Sequence, residues 1–324
     1  MAYDDYAHEP ATPFVVDIPQ VPGGLVILPS GSVQVVDADE EIFLLYSRSF
    51  ENKDEDGIQG LGSIDSLANT LTLNFTLHPP VLDQPQGPQV TKGRSRHGKA
   101  RRESKDINQE KVIEIKVSQD ITGLRSRKGD TGSVVWRASV HLARLLLQQH
   151  FFPPLPPHSA LLNPALLASA HIVELGSGTG ILGRALPPLL TTTGRITLTD
   201  LPELVPLLRK NAKSDKVSVE ALDWTWPILP SLEADLVLCV DCIYNTALVR
   251  PLVRVLSTCR SPVLVLIELR DEDVVRAFLE EWLNWESTSA GGNPKEKFQV
   301  WRLADGLLHP HFAAWVGWKT EQSN

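Results

Sequence analysis

The chain is poor in cysteine, with three in 324 residues, at Cys239, Cys242 and Cys259. Three thiols so close together cannot form a disulfide framework, so a reducing compartment is expected, cytoplasmic or also nuclear. Net positive charge is lacking too: 31 Lys and Arg face 39 Asp and Glu, for a formal charge of -8. A protein that coats nucleic acid through phosphate contacts needs the opposite balance, although a local basic patch stays open. No apolar run approaches the roughly 20 residues that span a bilayer. The opening MAYDDYAHEP has neither the basic nor the apolar part of a signal peptide, so no membrane association is expected. The nine histidines show no H-E-x-x-H or similar spacing and no G-x-S-x-G elbow holds a serine, which leaves metalloenzyme and hydrolase readings unsupported and no metal expected.

What is present suits a large core. Hydrophobic residues make up 42% and charged residues 22%, ordinary globular values, and the length accommodates an α/β domain of roughly 200 residues with additions. Over about residues 13–78 the runs FVVDI, GLVIL, SVQVV, IFLLY and TLTLNFTL, separated by Pro, Gly, Asp and Ser, predict a β-rich N-terminal region, residues 1–78. Residues 79–110 have almost no large apolar side chains and read as a disordered basic linker or loop. Its Lys92, Arg94, Arg96, Lys99, Arg101, Arg102 and Lys105 admit three readings: a solvated insert, a contact to ribosomal RNA, or a nuclear-import signal.

Residues 111–324 form the main domain. VIEIKV predicts a strand, and Ser133 is placed to cap a helix carrying Val135, Leu142, Leu145 and Leu146, with Trp136 in its first turn. After FFPPLPPHS, the strands HIVEL, RITLTD, KVSVEAL, DLVLCVD, PVLVLIEL, FQVWRL and FAAWVGW alternate with amphipathic segments. This predicts an α/β fold, a mainly parallel sheet with helices on both faces and FQVWRL with FAAWVGW as an antiparallel edge hairpin. Pro202 and Pro206 predict that the helix after Asp200 is kinked or begins late.

Glu174-Leu-Gly176-Ser177-Gly178-Thr-Gly180 lies between the strand HIV and the short helix ILGRAL, where glycines permit a tight turn and close approach of a ligand to the backbone. Gly178, Gly180 and Gly183 also satisfy G-x-G-x-x-G, but counting from the strand end the first glycine is Gly176 and its sixth position is Ile181, the wrong register for a dinucleotide. Glu174 suits a ligand bearing an ammonium better than one bearing two phosphates. Asp200 ends the next strand and can accept ribose hydroxyls, or act as a turn residue. Asp223 and Trp224 follow the third strand, able to meet an adenine amine and face, though an indole there can equally be packing. Asp241-Cys-Ile-Tyr244 ends the fourth strand, across the topological switch point from the glycine turn; there Asp241 could instead cap the following helix and Tyr244 merely pack. Cys239 and Cys242 make a C-x-x-C, a redox or half-zinc signal set against its place in an apolar strand.

The order Trp136, ELGSGTG, TDLPEL, LDW and VDCIYN resembles the methyltransferase family 16 protein-lysine methyltransferases over roughly residues 110–320. QDITGLRSRKGDTGSVVWRASVHLARLL, DLPELVPLLRKN and DCIYN look similar to the fungal ribosomal lysine N-methyltransferase 5 family. The resemblance implies a Rossmann-like seven-stranded fold, S-adenosyl-L-methionine as cofactor, and as protein partner a large-subunit ribosomal protein methylated on lysine. It implies Trp136 over the cofactor, Gly176, Ser177 and Gly178 as the cofactor turn, Asp200 on ribose and Trp224 beside adenine. Val240 would line the pocket, with Asp241 and Tyr244 framing the acceptor. Asp241 is expected to orient the lysine ammonium, while its charge alone raises the lysine pKa. A monomer is the simplest expectation. Two alternatives remain, an inactive cofactor-binding ribosome-associated scaffold and an NAD-dependent oxidoreductase.

Overall fold

The computed structural model describes residues 18–51, 62–80, 109–126, 131–287 and 295–321, with the side chains of 48–51 and 124–126 excepted. The basic cluster of residues 92–105 lies outside them, as does FVVDI apart from Ile18. Three elements precede residue 80, β1 (Val33–Val35), α1 (Ala38–Glu51) and β2 (Thr70–Leu77). After it come β3 (Lys111–Ser118), α2 (Ile121–Ser126), α3 (Arg137–Phe151) and α4 (Pro164–Leu167). The alternating part follows: β4 (His171–Leu175), α5 (Ile181–Ala185), β5 (Arg195–Asp200), α6 (Val205–Asn211), β6 (Val217–Ala221) and β7 (Leu236–Val240). It continues through α7 (Thr246–Thr258), β8 (Val263–Glu268), α8 (Glu272–Leu283), β9 (Glu296–Arg302) and β10 (Phe312–Glu321).

Eight strands make one sheet in the order β1-β9-β10-β8-β7-β4-β5-β6. β4 to β8 pair in parallel, β10 runs antiparallel to both β8 and β9, and the expected closing hairpin is therefore present. The seven expected strands all form, and β1 adds an eighth at the β9 edge. β7 and β8 are buried along their whole length because both faces are covered. Their side chains alternate: Leu236, Leu238, Val240, Leu264 and Leu266 face one apolar cluster with α3 and α5, and Val237, Cys239, Val263, Val265 and Ile267 face another with α1, α7 and α8.

Four local expectations need correction. IFLLY lies within α1, not a strand; Ile42 and Leu45 fall on one helical face and bury against α8, while Phe43 on the opposite side is exposed. GLVIL forms no strand and makes one isolated bridge, Val26 with Leu162. Ser133 does not cap α3; its N-cap is Trp136, which makes no side-chain capping bond. Asp241 does not cap α7, because Asn245 does, accepting from the Ala247 amide at 3.0 Å. The proline argument holds: α6 begins late, at Val205, with Pro206 in its first turn.

TLTLNFTL and VIEIKV, on either side of residues 79–110, pair with each other as the antiparallel β2-β3 ribbon, and Phe75, Leu77, Ile115 and Val117 bury into the α3 side of the core. The N-terminal segment is also joined to the sheet by a buried ion pair. Arg302 Nε stands 3.1 Å from Glu41 Oε1, which also accepts from Trp315 Nε1 at 2.8 Å. Breaking a buried pair strands the remaining charge, although Arg302 keeps Asp305 at 2.7 Å. Glu41→Leu is therefore expected to lower stability by about 3 kcal/mol, read as a lower urea midpoint with an unchanged slope; an unmoved midpoint refutes the tie.

Candidate active site

Order reverses at β4, which has β5 and β6 on one side and β7 and β8 on the other. The crevice outside the carboxyl ends of such strands is where open α/β sheets bind ligands. A pocket opens there. Gly176, Ser177, Gly178 and Thr179 line it after β4, Asp200, Leu201, Glu203 and Leu204 after β5, and Leu222, Asp223 and Trp224 after β6. Val240, Asp241, Cys242 and Tyr244 close it after β7, with Leu248 of α7; Thr131, Gly132, Val134, Trp136 and Ser139 cross from the α3 side.

Of the candidate residues, all but Glu174 and Gly180 line this pocket. The turn has the backbone expected of it: Gly176 and Gly178 have φ of 60° and 54°. A Cβ on Gly176 would lie 2.8 Å from Cys242 Sγ and 3.2 Å from the Trp224 ring, so the indole rests against the turn. A Cβ on Gly178 would lie 3.1 Å from the Gly132 carbonyl oxygen, which shows how closely the two loops approach. Gly180 and Gly183 instead pack against Leu198 of β5, with Gly180 also against Leu208 of α6. Two of the three glycines of the shifted frame thus serve packing.

Asp200 is buried, and its carboxylate accepts the Gly178 amide at 2.7 Å and the Leu201 amide at 2.8 Å. Those bonds aim it into the pocket, and a carboxylate has lone pairs to spare for hydroxyls. Asp223 Oδ1 accepts from Thr225 N and Oγ1 at 2.8 and 2.7 Å, fixing the turn that presents Trp224. Glu174 is fully enclosed below the glycine turn, and its Oε2 has no hydrogen-bond partner. Burial pushes its carboxyl up to about 8, the Ser177 hydroxyl opposing this and the Asp200 charge adding to it.

Trp136 donates its indole N–H to the Thr131 carbonyl at 2.7 Å. The loop residues Thr131 and Gly132 were missed by sequence reasoning; the Thr-Gly-Ser turn before Trp136 was their only signal. Also missed was the setting of Asp241. It has φ of 60°, uncommon for a residue with a side chain, and its amide donates to Leu266 O at 2.7 Å. Arg270, just past β8, grips its two carboxylate oxygens at 2.8 and 2.7 Å. Burial works to lower the Arg270 pKa, but Asp241 and then Glu268 outweigh it and the net direction is upward. Tyr244 is 41% exposed at the pocket mouth.

Cys239 and Cys242 are buried free thiols. The Cys239 hydrogen bond and burial push the Cys242 thiol well up, which argues against a reactive dithiol. Among the described residues no group of three His, Cys, Asp or Glu is placed to hold a metal, and no helix is long and apolar enough to cross a membrane.

A lysine methyltransferase family model matches residues 114–281, more than half the chain and every strand end that lines the pocket. The chain belongs to the lysine methyltransferase family. Within relatives of known name, it is 29% identical over 178 residues to the mouse protein-lysine N-methyltransferase EEF2KMT, covering 47% of this chain and 49% of that one. Budding-yeast protein-lysine N-methyltransferase EFM6 is 33% identical over 91 residues, covering 22% and 37%. A fission-yeast protein named diaminohydroxyphosphoribosylamino-pyrimidine deaminase is 34% identical over 179 residues, 51% of this chain and 41% of that protein. The chain thus spans less than half the length of each of these relatives.

S-adenosylmethionine is the cofactor that this family membership assigns to the pocket, and the residues fit it. Asp200 can accept the ribose hydroxyls, Trp224 offers a flat wall, and Gly176 and Gly178 bring bare backbone to the pocket. The orphaned Glu174 Oε2 beneath the turn is a spare hydrogen-bond acceptor for a cationic ligand. With a folded pKa near 8 and an ordinary value of 4.5, Glu174 stays protonated in the folded chain while the unfolded one ionises. Its stability contribution is therefore full below about 4.5 and lost as pH rises towards 8. Gln mimics the protonated form, so Glu174→Gln should melt like wild type near pH 4.5 and progressively higher than wild type towards pH 8. A melting difference that does not grow with pH refutes the buried-acid assignment.

Proposed function

We propose that the chain transfers the methyl group of S-adenosylmethionine to the ε-amino group of a lysine in another protein, a large-subunit ribosomal protein, in the cytoplasm or also the nucleus. The observation that carries the reading is the coincidence of the lysine methyltransferase match with the strand ends that line the pocket. The names of the mouse and budding-yeast relatives support a protein lysine as acceptor. The ribosomal acceptor rests on the resemblance of residues such as DLPELVPLLRKN and DCIYN. The fission-yeast deaminase name stays with that protein, of which the chain covers 41%.

Bound in the pocket, the cofactor supplies an activated methyl group for in-line displacement by an amine. The chain's part is to position that amine and let it shed its proton. A lysine of ordinary pKa about 10.4 is held protonated at pH 7 by roughly 4.6 kcal/mol. Tyr244, exposed at the mouth, presents an aromatic face to the incoming cation and a hydroxyl that can direct it. The buried carboxylate of Asp241 stands beside it as the acceptor-orienting group.

Incubation with radiolabelled S-adenosylmethionine and ribosomal subunits from cells lacking the protein should label one ribosomal protein on lysine, located by mass spectrometry. Label on another protein removes the ribosome from the reading, and cofactor binding with no label favours the inactive scaffold. Asp241→Ala should reduce turnover by about a hundredfold with cofactor affinity within about twofold.

A further inference from the structure

Four charged side chains at the adjoining ends of β7, β8 and α3 form a ladder of alternating sign. Arg137 Nη2 donates to Glu268 Oε1 at 2.5 Å, Arg270 Nη2 donates to Glu268 Oε2 at 2.9 Å, and Arg270 holds Asp241 with two parallel bonds. The Asp241 and Glu268 side chains are 4% and 5% exposed, and of the four only Asp241 lines the pocket. Such two-pronged guanidinium contacts fix orientation as well as charge.

The ladder resolves a conflict in the proposed chemistry. An uncompensated carboxylate beside the acceptor lysine would bind it as ammonium and raise its pKa, when transfer needs the neutral amine. With two cations and two anions the ladder has no net charge, so Asp241 can still accept a hydrogen bond without adding a full negative charge. The other titratable groups nearby do not replace this compensation. Cys242 beside Asp241 is pushed up by Cys239 and burial, and Tyr46 of α1, against Arg270, is pushed up by burial, so both are neutral. Asp271 and Glu272 face Tyr46, and Asp200 accepts two backbone amides across the pocket.

Backbone from outside the family match completes the arrangement. Arg137 N donates to Gly62 O at 2.9 Å, Ile64 N donates to Val135 O at 3.0 Å, and the Gln119 amide group donates to the carbonyls of Asp65 and Ala68. Gly62, at φ 99°, lies against the ladder: a Cβ there would stand 2.7 Å from Glu268 Oε2 and run into the Arg270 guanidinium. The guanidinium also faces the Trp136 ring at 5.3 Å.

We propose that Arg270 is a positioning residue that neutralises and orients Asp241 so that the acceptor lysine loses its proton near neutral pH, with Gly62 leaving the space for it. This rests on the lysine-transfer reading. The test is kcat against pH, from about 6 to 9.5, for wild type, Arg270→Gln, Arg270→Lys and Gly62→Ala, with saturating radiolabelled S-adenosylmethionine and unmodified large ribosomal subunits as acceptor. Arg270→Gln should move the acidic limb up by about one unit, a rate about tenfold lower at pH 7 that recovers at the alkaline end. Its KM for the subunits should not rise, and its affinity for S-adenosylhomocysteine should stay within about twofold. Arg270→Lys, which restores the charge, and Gly62→Ala, which displaces the guanidinium, should each shift the limb by about half as much. A pH-independent loss or an unmoved limb in Arg270→Gln overturns the proposal; if that variant fails to fold, the limbs of the other two decide it. A wild type that labels no lysine overturns the transfer reading and this inference together, before any variant is compared.

Discussion

A strand with parallel neighbours on both sides must bury both of its faces, so its carboxyl end is the place where it can meet a ligand. β4, β5 and β7 obey this constraint, and the rest of the molecule is arranged around it. Helices cover the two faces, the glycine turn leaves β4, and the acidic residues that could not survive unpaired in the sheet collect where the strands stop. Asp200, Asp241 and Glu268 each stand at or just past a strand end, and each is held by hydrogen bonds that aim it. Glu174 is the exception. It sits one residue inside the end of β4, enclosed, with one oxygen unpartnered.

Charge at the acceptor side is shared among elements far apart in the chain. Asp241 belongs to the end of β7, Glu268 to β8, Arg270 to the turn before α8 and Arg137 to α3. No single segment is charged in a way that announces the arrangement, and LIELR reads as a strand running into a polar turn. The residues around Gly62 join it by backbone bonds to residues 135–137, so that sequence preceding the family match helps build the family's pocket. The segment is placed there by Gln119, a buried amide that also accepts from the Val135 N–H.

Much of the main sheet was legible because its strands are short, apolar and punctuated. HIVEL, RITLTD, DLVLCVD and PVLVLIEL needed only their β-branched content and flanking turns, and Pro206 correctly delayed α6. IFLLY failed for a physical reason. Five apolar residues in a row have no periodicity of their own, and what decided between strand and helix was the acidic Asp39-Glu40-Glu41 turn before them and the surface of α8 that receives Ile42 and Leu45. Asp241 was likewise legible as a strand-end carboxylate, while its bond to Arg270 was not.

The sequence by itself determined the alternation of elements, the glycine turn after the first parallel strand and the set of side chains that end the next three, because period, turn chemistry and strand length are local properties. The tertiary structure decided which charges meet, that Gly176 yields to Trp224 and Cys242, that Gly180 and Gly183 serve packing, and that β1 and α1 complete the main sheet and its cover. Those outcomes depend on contacts between residues tens to hundreds of positions apart, as with Glu41 and Arg302, and such pairings arise only when the strands are laid side by side.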